Sequence, residues 1–128
     1  QPIGFQAEWN IGRGPSLNDA QTAVDDRHLY GGYIQTMARI ETKRHGVLFP
    51  FVRWSTYHGG YKPERNSPFS IIDEWEFGNE WQINPQMEFT TSLLLTDRTN
   101  TTAFSTAGVQ SYRQFEGSVM RFQFQFNY

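Results

Sequence analysis

Three arginines, Arg39, Arg53 and Arg121, carry the charge best suited to binding a small solute. A guanidinium stays charged at any physiological pH and can hold a phosphate through two parallel hydrogen bonds. Each of the three stands in a segment where polar and apolar residues alternate, and each falls on the polar side. We therefore predict that these arginines attract small anions.

Acidic residues in similar segments allow a different role for the arginines. Glu8, Glu76 and Glu80 also fall on polar sides, and opposite charges on neighbouring strands form pairs that stiffen a sheet. The arginines would then serve the structure and not a solute. Glu74 and Glu76 lie two residues apart, but residues at that spacing share a face of any strand, so their proximity does not predict a catalytic pair.

The other chemistry-bearing residues show no pattern typical of an enzyme. His28, His45 and His58 are scattered without metal-ligand spacing, and no serine stands near a histidine in a nucleophile motif. The chain has no cysteine, which excludes thiol chemistry, and its net charge of −2 lacks the basic excess of a nucleic-acid binder. We expect no enzymatic activity, no metal, no cofactor and no nucleic-acid partner.

The carboxyl-terminal segment indicates which elements position these residues. From residue 118 to residue 128 polar and apolar side chains alternate, and one face carries Met120, Phe122, Phe124, Phe126 and Tyr128. A period of two is that of a β-strand. The same period predicts six antiparallel strands in a meander, over about residues 3–12, 30–41, 48–57, 74–83, 87–96 and 118–128. The whole chain, residues 1–128, is expected to form a single domain.

The connections between these strands alternate in length. Residues 42–46 and 83–87 form short turns, whereas 13–29, 59–73 and 97–117 are long and rich in small and polar residues. Short turns at one end and long loops at the other are typical of outer-membrane β-barrels, whose tilted strands cross the bilayer in about ten residues. The pattern predicts an all-β chain of antiparallel transmembrane strands.

Aromatic residues gather at both ends of the predicted strands. Those near the long loops are Trp9, Tyr30, Trp54 and Trp75, and those near the turns are Phe5, Trp81, Phe89, Phe126 and Tyr128. Membrane barrels carry such girdles at the two edges of their apolar band. Six strands are too few to close around a channel, since the smallest barrels have about eight. We expect missing strands, or other copies of the chain, to complete the barrel.

A soluble protein offers a second interpretation of the same alternation. A β-sandwich, or a lipocalin-like cup that binds an apolar ligand or a glycan, also has strands with one apolar and one polar face. The two interpretations differ in orientation. In the soluble protein the aromatic face is buried, and the face with Glu, Gln and Arg lies outside.

Five segments along the chain, in this order, resemble the carboxyl-terminal part of phosphate-selective porins of the O and P type. They are GFQAEWNIGRGP (4–15), GGYIQTM (31–37), FPFVRW (49–54), EWEFGNEWQ (74–82) and MRFQFQFNY (120–128). The resemblance spans nearly the whole chain. It implies a trimeric outer-membrane barrel of a Gram-negative bacterium that passes small anions, phosphate or polyphosphate among them.

A porin of this kind would have a lipid bilayer and the outer-membrane assembly machinery as partners, and it would form homo-oligomers. The final strand, with Phe122, Phe124, Phe126 and Tyr128, would be the signal that the assembly machinery reads. In the channel, Arg39, Arg53 and Arg121 would attract anions. The further residues predicted to line the pore are Gln6, Glu8, Asn10, Gln35, Glu74, Glu76, Glu80, Gln82, Glu88 and Gln123.

Overall fold

The computed structural model describes residues 2–18, 22–60, 69–102 and 111–127. Within these ranges the chain forms strands and turns and no helix. The strands are β1 (Ile3–Leu17), β2 (Val24–Ala38), β3 (Ile40–Thr42), β4 (Gly46–Gly60), β5 (Phe69–Asn84), β6 (Met87–Thr102) and β7 (Ser111–Phe126). They form one antiparallel sheet in the order β1-β2-β4-β5-β6-β7, and β3 pairs with β4. The prediction of an all-β antiparallel meander is confirmed.

The predicted second strand, about 30–41, is divided into β2 and β3. The register on either side of the break places Pro50 of β4 opposite Ala38. Proline has no N–H group, so it cannot donate the hydrogen bond that would continue the ladder. On the β1 side of the chain, the N–H of Arg39 donates to the carbonyl of Pro2, at 2.8 Å. Because β3 continues the register of β2, the six predicted strands correspond to five long strands and one divided strand.

The strands are longer than the predicted ones at the end where the long connections lie. The ladder continues to Leu17↔Val24, Gly60↔Phe69 and Thr102↔Ser111, so the predicted loops shrink to residues 18–23, 61–68 and 103–110. The predicted ends of these strands were wrong because the hydrophobic alternation stops before the backbone pairing does. Of these connections, residues 19–21, 61–68 and 103–110 lie outside the described part of the chain.

The predicted alternation of short and long connections is retained. At the opposite end of the sheet, residues 43–45 join β3 to β4, and residues 85–86 join β5 to β6. In the first turn the Thr42 hydroxyl donates to the Gly46 carbonyl at 2.7 Å and accepts from the His45 N–H at 3.0 Å. The indole N–H of Trp81 donates to the His45 carbonyl, which ties the turn to β5.

Gly46→Ala is expected to destabilise the sheet by about 1–3 kcal/mol. Gly46 has a φ of +79°, which favours glycine, and an added Cβ would lie 1.9 Å from the Gln82 carbonyl oxygen. The measurement is chemical denaturation of the refolded chain. Gly117→Ala is the matched control, because its Cβ would meet nothing within 4 Å. Equal unfolding free energies for the two variants would contradict the role of the turn.

The two faces of the sheet differ in exposure as well as in polarity. On one face Phe77, Leu93 and Phe122 are 43%, 37% and 65% exposed. On the other face Gln35 and Glu76 are only 7% and 9% exposed. The sheet therefore curves towards its polar side. We call the side with Phe77, Leu93 and Phe122 the convex face, and the side with Gln35 and Glu76 the concave face.

Aromatic residues pack along the convex face near both ends of the strands. The rings of Trp9 and Trp54 lie 6.3 Å apart between centroids. Gly32 stands opposite Trp9, and a Cβ there would clash with the Glu8 carbonyl and would also meet the Trp9 ring, so both the backbone and the ring require a glycine. Near the other end of the strands, Phe124 and Phe126 meet edge to face at 5.0 Å.

The sheet is open in the part of the chain that the structure describes. Strands β1 and β7 each pair along one side only, and they do not pair with each other. Across residues 2–18, 22–60, 69–102 and 111–127 there is no helix long and apolar enough to cross a membrane.

Candidate functional site

One cavity on the concave face gathers side chains from five neighbouring strands. It encloses about 530 Å³. It is lined by Gln35, Met37, Phe49, Phe51, Arg53, Glu76, Glu80, Gln82, Thr90, Arg121 and Gln123. Seven of the predicted pore-lining residues therefore share one site, although they come from β2, β4, β5 and β7. The curvature of the sheet brings them together.

Glu76 lies at the centre of the charged groups in this cavity. One carboxylate oxygen, Oε2, forms an ion pair with Nη1 of Arg53 at 3.6 Å. The other oxygen, Oε1, forms an ion pair with Nη1 of Arg121 at 3.7 Å. The hydroxyl of Ser92 donates to Oε1 at 2.8 Å. Two ion pairs and one hydrogen bond thus meet at one carboxylate, and the two arginines and the glutamate together carry a net charge of +1. We call Arg53, Glu76, Arg121 and Ser92 the charged cluster.

Cross-strand register explains how the cluster forms. Arg53 on β4 stands directly opposite Glu76 on β5. Arg121 on β7 is two strands away from Glu76, and the residue opposite Arg121 on β6 is Ser92. Because Ser92 is small, the longer arginine side chain can extend over it to the carboxylate.

Further contacts hold the guanidinium of Arg53 in place. Its Nε donates to the Gln35 side-chain oxygen at 2.7 Å. The guanidinium carbon also lies 5.2 Å from the centre of the Tyr33 ring, within the range of a cation–π interaction. Tyr33 in turn accepts a hydrogen bond from the Gln6 amide at 2.8 Å. These contacts restrict the guanidinium to the side of the cavity nearest β2.

The remaining predicted site residues lie on the concave face outside the charged cluster. Arg39 pairs with Glu41 at 2.8 Å, and both side chains are more than half exposed. Glu74 accepts from the Thr96 hydroxyl at 3.1 Å and lies 4.0 Å from Arg98. The other bonded pairs are Asn10 with Glu8, and Gln82 with Glu80, each at 3.0 Å. Glu88 stands opposite Gln82, and Gln123 opposite Thr90.

The geometry bears on the two roles considered for the arginines. Arg53 and Arg121 pair with Glu76, as the structural alternative requires, but 40% and 60% of their side chains remain exposed while the Glu76 side chain is 11% exposed. Arg39 pairs with Glu41, which was not among the expected partners. The arrangement can therefore present two partly neutralised guanidinium groups to a solute in the cavity.

Sequence reasoning did not single out Ser92, Tyr33 or the apolar wall of the cavity. Met37, Phe49 and Phe51 line it beside the charged groups. Their alternation placed them on the polar side of their strands, but the side alone does not indicate which neighbours they meet. Among the described residues, no group of three or more His, Asp or Glu is arranged to hold a metal ion.

The residues of the predicted assembly signal are exposed on the convex face where the structure describes them. Phe122, Phe124 and Phe126 are 65%, 49% and 61% exposed. Tyr128, the fourth residue of that prediction, lies outside the described residues.

Comparison of the chain with protein-family models, with curated proteins and with solved structures found no match. The class of protein that the fold defines is an all-β chain with a curved, open antiparallel sheet, which exposes large apolar side chains on its convex face and carries the charged cluster on its concave face. Its function is argued from that geometry.

Proposed function

We propose that this chain is a wall segment of an outer-membrane β-barrel porin, through which small anionic solutes diffuse passively. The proposal rests on the orientation of the sheet: large apolar side chains are exposed on the convex face, and the charged cluster is recessed on the concave face. A barrel in a bilayer needs this arrangement, with apolar residues towards lipid and polar residues towards the lumen. The resemblance to porins of the O and P type supports the same conclusion.

Strands beyond this sheet complete the barrel in the proposal. An edge strand carries a row of unpaired N–H and C=O groups, which hydrocarbon cannot satisfy. Strands β1 and β7 are such edges. They would pair with further strands or with other copies of the chain, with a trimer as the favoured oligomer. Three copies would give a wall of about eighteen strands, within the porin range.

Small anions are the proposed solutes because the charged cluster presents more positive than negative charge to the cavity. Two guanidinium groups face one carboxylate there. Glu80, which also lines the cavity, brings the formal charge of the lining to zero, so the preference depends on the greater exposure of the arginine side chains, 40% and 60%, against 11% for Glu76. The proposed channel therefore prefers anions only modestly, and phosphate and polyphosphate are the solutes that guanidinium groups fit best.

The proposal is tested by folding the chain into detergent and then into planar bilayers. The expected result is partition into detergent, an oligomer on gels without heating, and ion conductance with a reversal potential in a salt gradient that indicates anion preference. Arg53→Ala and Arg121→Ala should each shift that potential towards cations. A chain that stays soluble and monomeric without detergent would instead be the soluble sandwich or lipocalin-like module.

A further inference from the structure

The Glu76 carboxylate lies among groups of the kind that bind an oxyanion in proteins. Arg53 and Arg121 approach opposite oxygens, and the Ser92 hydroxyl donates to one of them. Paired guanidinium groups with a hydroxyl are the donor set expected for a phosphate or a carboxylate ligand. In this chain the ligand position is filled by a side chain of the wall itself.

We propose that Glu76 is the built-in occupant of an oxyanion-binding subsite, and that it keeps solute anions from binding there tightly. The inference deepens the proposed channel function and rests on it, because it concerns anions that reach the concave face. The ligand class is a tetrahedral oxyanion, for which inorganic phosphate is the probe. Glu76 is thus a specificity-determining residue of the wall.

The exposure of the three charged groups supports this assignment. The Glu76 side chain is 11% exposed at the base of the site, whereas Arg53 and Arg121 are 40% and 60% exposed above it. A solute in the 530 Å³ cavity would therefore meet guanidinium groups whose charge is already partly neutralised. Conduction requires binding that is weak enough for the solute to leave. The glutamate meets this requirement without removing the arginines.

Arg53 is also held in place independently of Glu76. Gln35 accepts from the Nε of Arg53 at 2.7 Å, and the guanidinium lies against the Tyr33 ring. Removing the negative charge of Glu76 would leave Arg53 positioned, because these contacts remain. The site would then have two guanidinium groups and a hydroxyl without an anion.

The experiment is Glu76→Gln in the full chain, folded in detergent, with phosphate binding measured by calorimetry and with phosphate block of chloride current measured in bilayers. Glutamine has nearly the same shape and can still accept from Ser92, so the fold is expected to persist. We expect phosphate to bind on the order of tenfold more tightly than to the wild type, and to block current at correspondingly lower concentration.

Glu80→Gln is the matched control. It removes the same charge from the same cavity, but the side chain of Glu80 bonds to Gln82 and is not part of the charged cluster. Its effect on phosphate binding should be small. Adding Arg121→Gln to the Glu76→Gln variant should abolish the gain, because one of the two guanidinium groups is then missing.

The outcomes separate this inference from the channel proposal. Tighter phosphate binding by calorimetry without any bilayer conductance would support the subsite and contradict the channel. Conductance in the wild type with unchanged phosphate affinity in Glu76→Gln, or an equal gain in Glu80→Gln, would overturn the subsite and leave the channel standing.

Discussion

Leu93→Arg is expected to prevent the chain from folding into lipid vesicles. Leu93 lies in the middle of the convex face, where it stands opposite Phe77 on β5 and Met120 on β7, and it is 37% exposed. An arginine facing hydrocarbon at the midplane of a membrane barrel costs about 2–4 kcal/mol. In a protein whose convex face meets water, the same substitution at a partly exposed position would cost little. The measurement is the folded fraction after dilution from denaturant into vesicles.

Thr90→Arg is the matched control for this prediction. Thr90 lies on the same strand but on the concave face, where it lines the 530 Å³ cavity. The cavity has room for the longer side chain, and water would solvate its charge. We expect Thr90→Arg to fold into vesicles as the wild type does. Normal folding of Leu93→Arg together with failure of Thr90→Arg would show that the faces are assigned the wrong way round.

Arg53→Glu is expected to turn the proposed anion-preferring channel into a cation-preferring one. The substitution changes the charge of the cluster from +1, with two arginines and one glutamate, to −1, with one arginine and two glutamates. Charged rings in the wall of a pore set which ions enter. We expect the anion-to-cation permeability ratio, measured from the reversal potential in a potassium chloride gradient, to fall about fivefold or more.

Arg39→Glu tests whether position in the cavity, and not total charge, produces that effect. This substitution makes the same change in formal charge. Arg39, however, pairs with Glu41 on the exposed surface and does not line the cavity. A much smaller shift in reversal potential is expected. An equal or larger shift for Arg39→Glu would mean that the charged cluster does not control the solute, and that charge anywhere on the concave face is sufficient.

The alternation of residue types was enough to assign the side chains of the predicted strands to one face or the other. Glu76, Arg53 and Arg121 were placed on the polar side, and the register puts them on one face of the sheet. The fold class and the order of short and long connections followed from the same period of two together with turn residues such as Pro85 and Gly46. These features are local, so a single sequence contains them.

Contacts across two strands could not be predicted in the same way. Arg121 reaches Glu76 only because both the register and the small size of Ser92 allow its side chain to extend over Ser92. Nothing in the sequence of β5 or of β7 alone predicts this contact. The outer ends of the strands were missed for a related reason. Polar residues such as Ser70 and Asn100 continue the backbone ladder and bond to each other at 2.5 Å, although no hydrophobic alternation marks them.

The two edge strands, β1 and β7, run in opposite directions, because five successive antiparallel pairings separate them. The β7 edge of one copy can therefore join the β1 edge of the next in the same antiparallel sense. Turns remain at one rim and loops at the other, and every apolar side chain keeps its direction. An even number of long strands thus makes the sheet a unit that can be repeated around a ring.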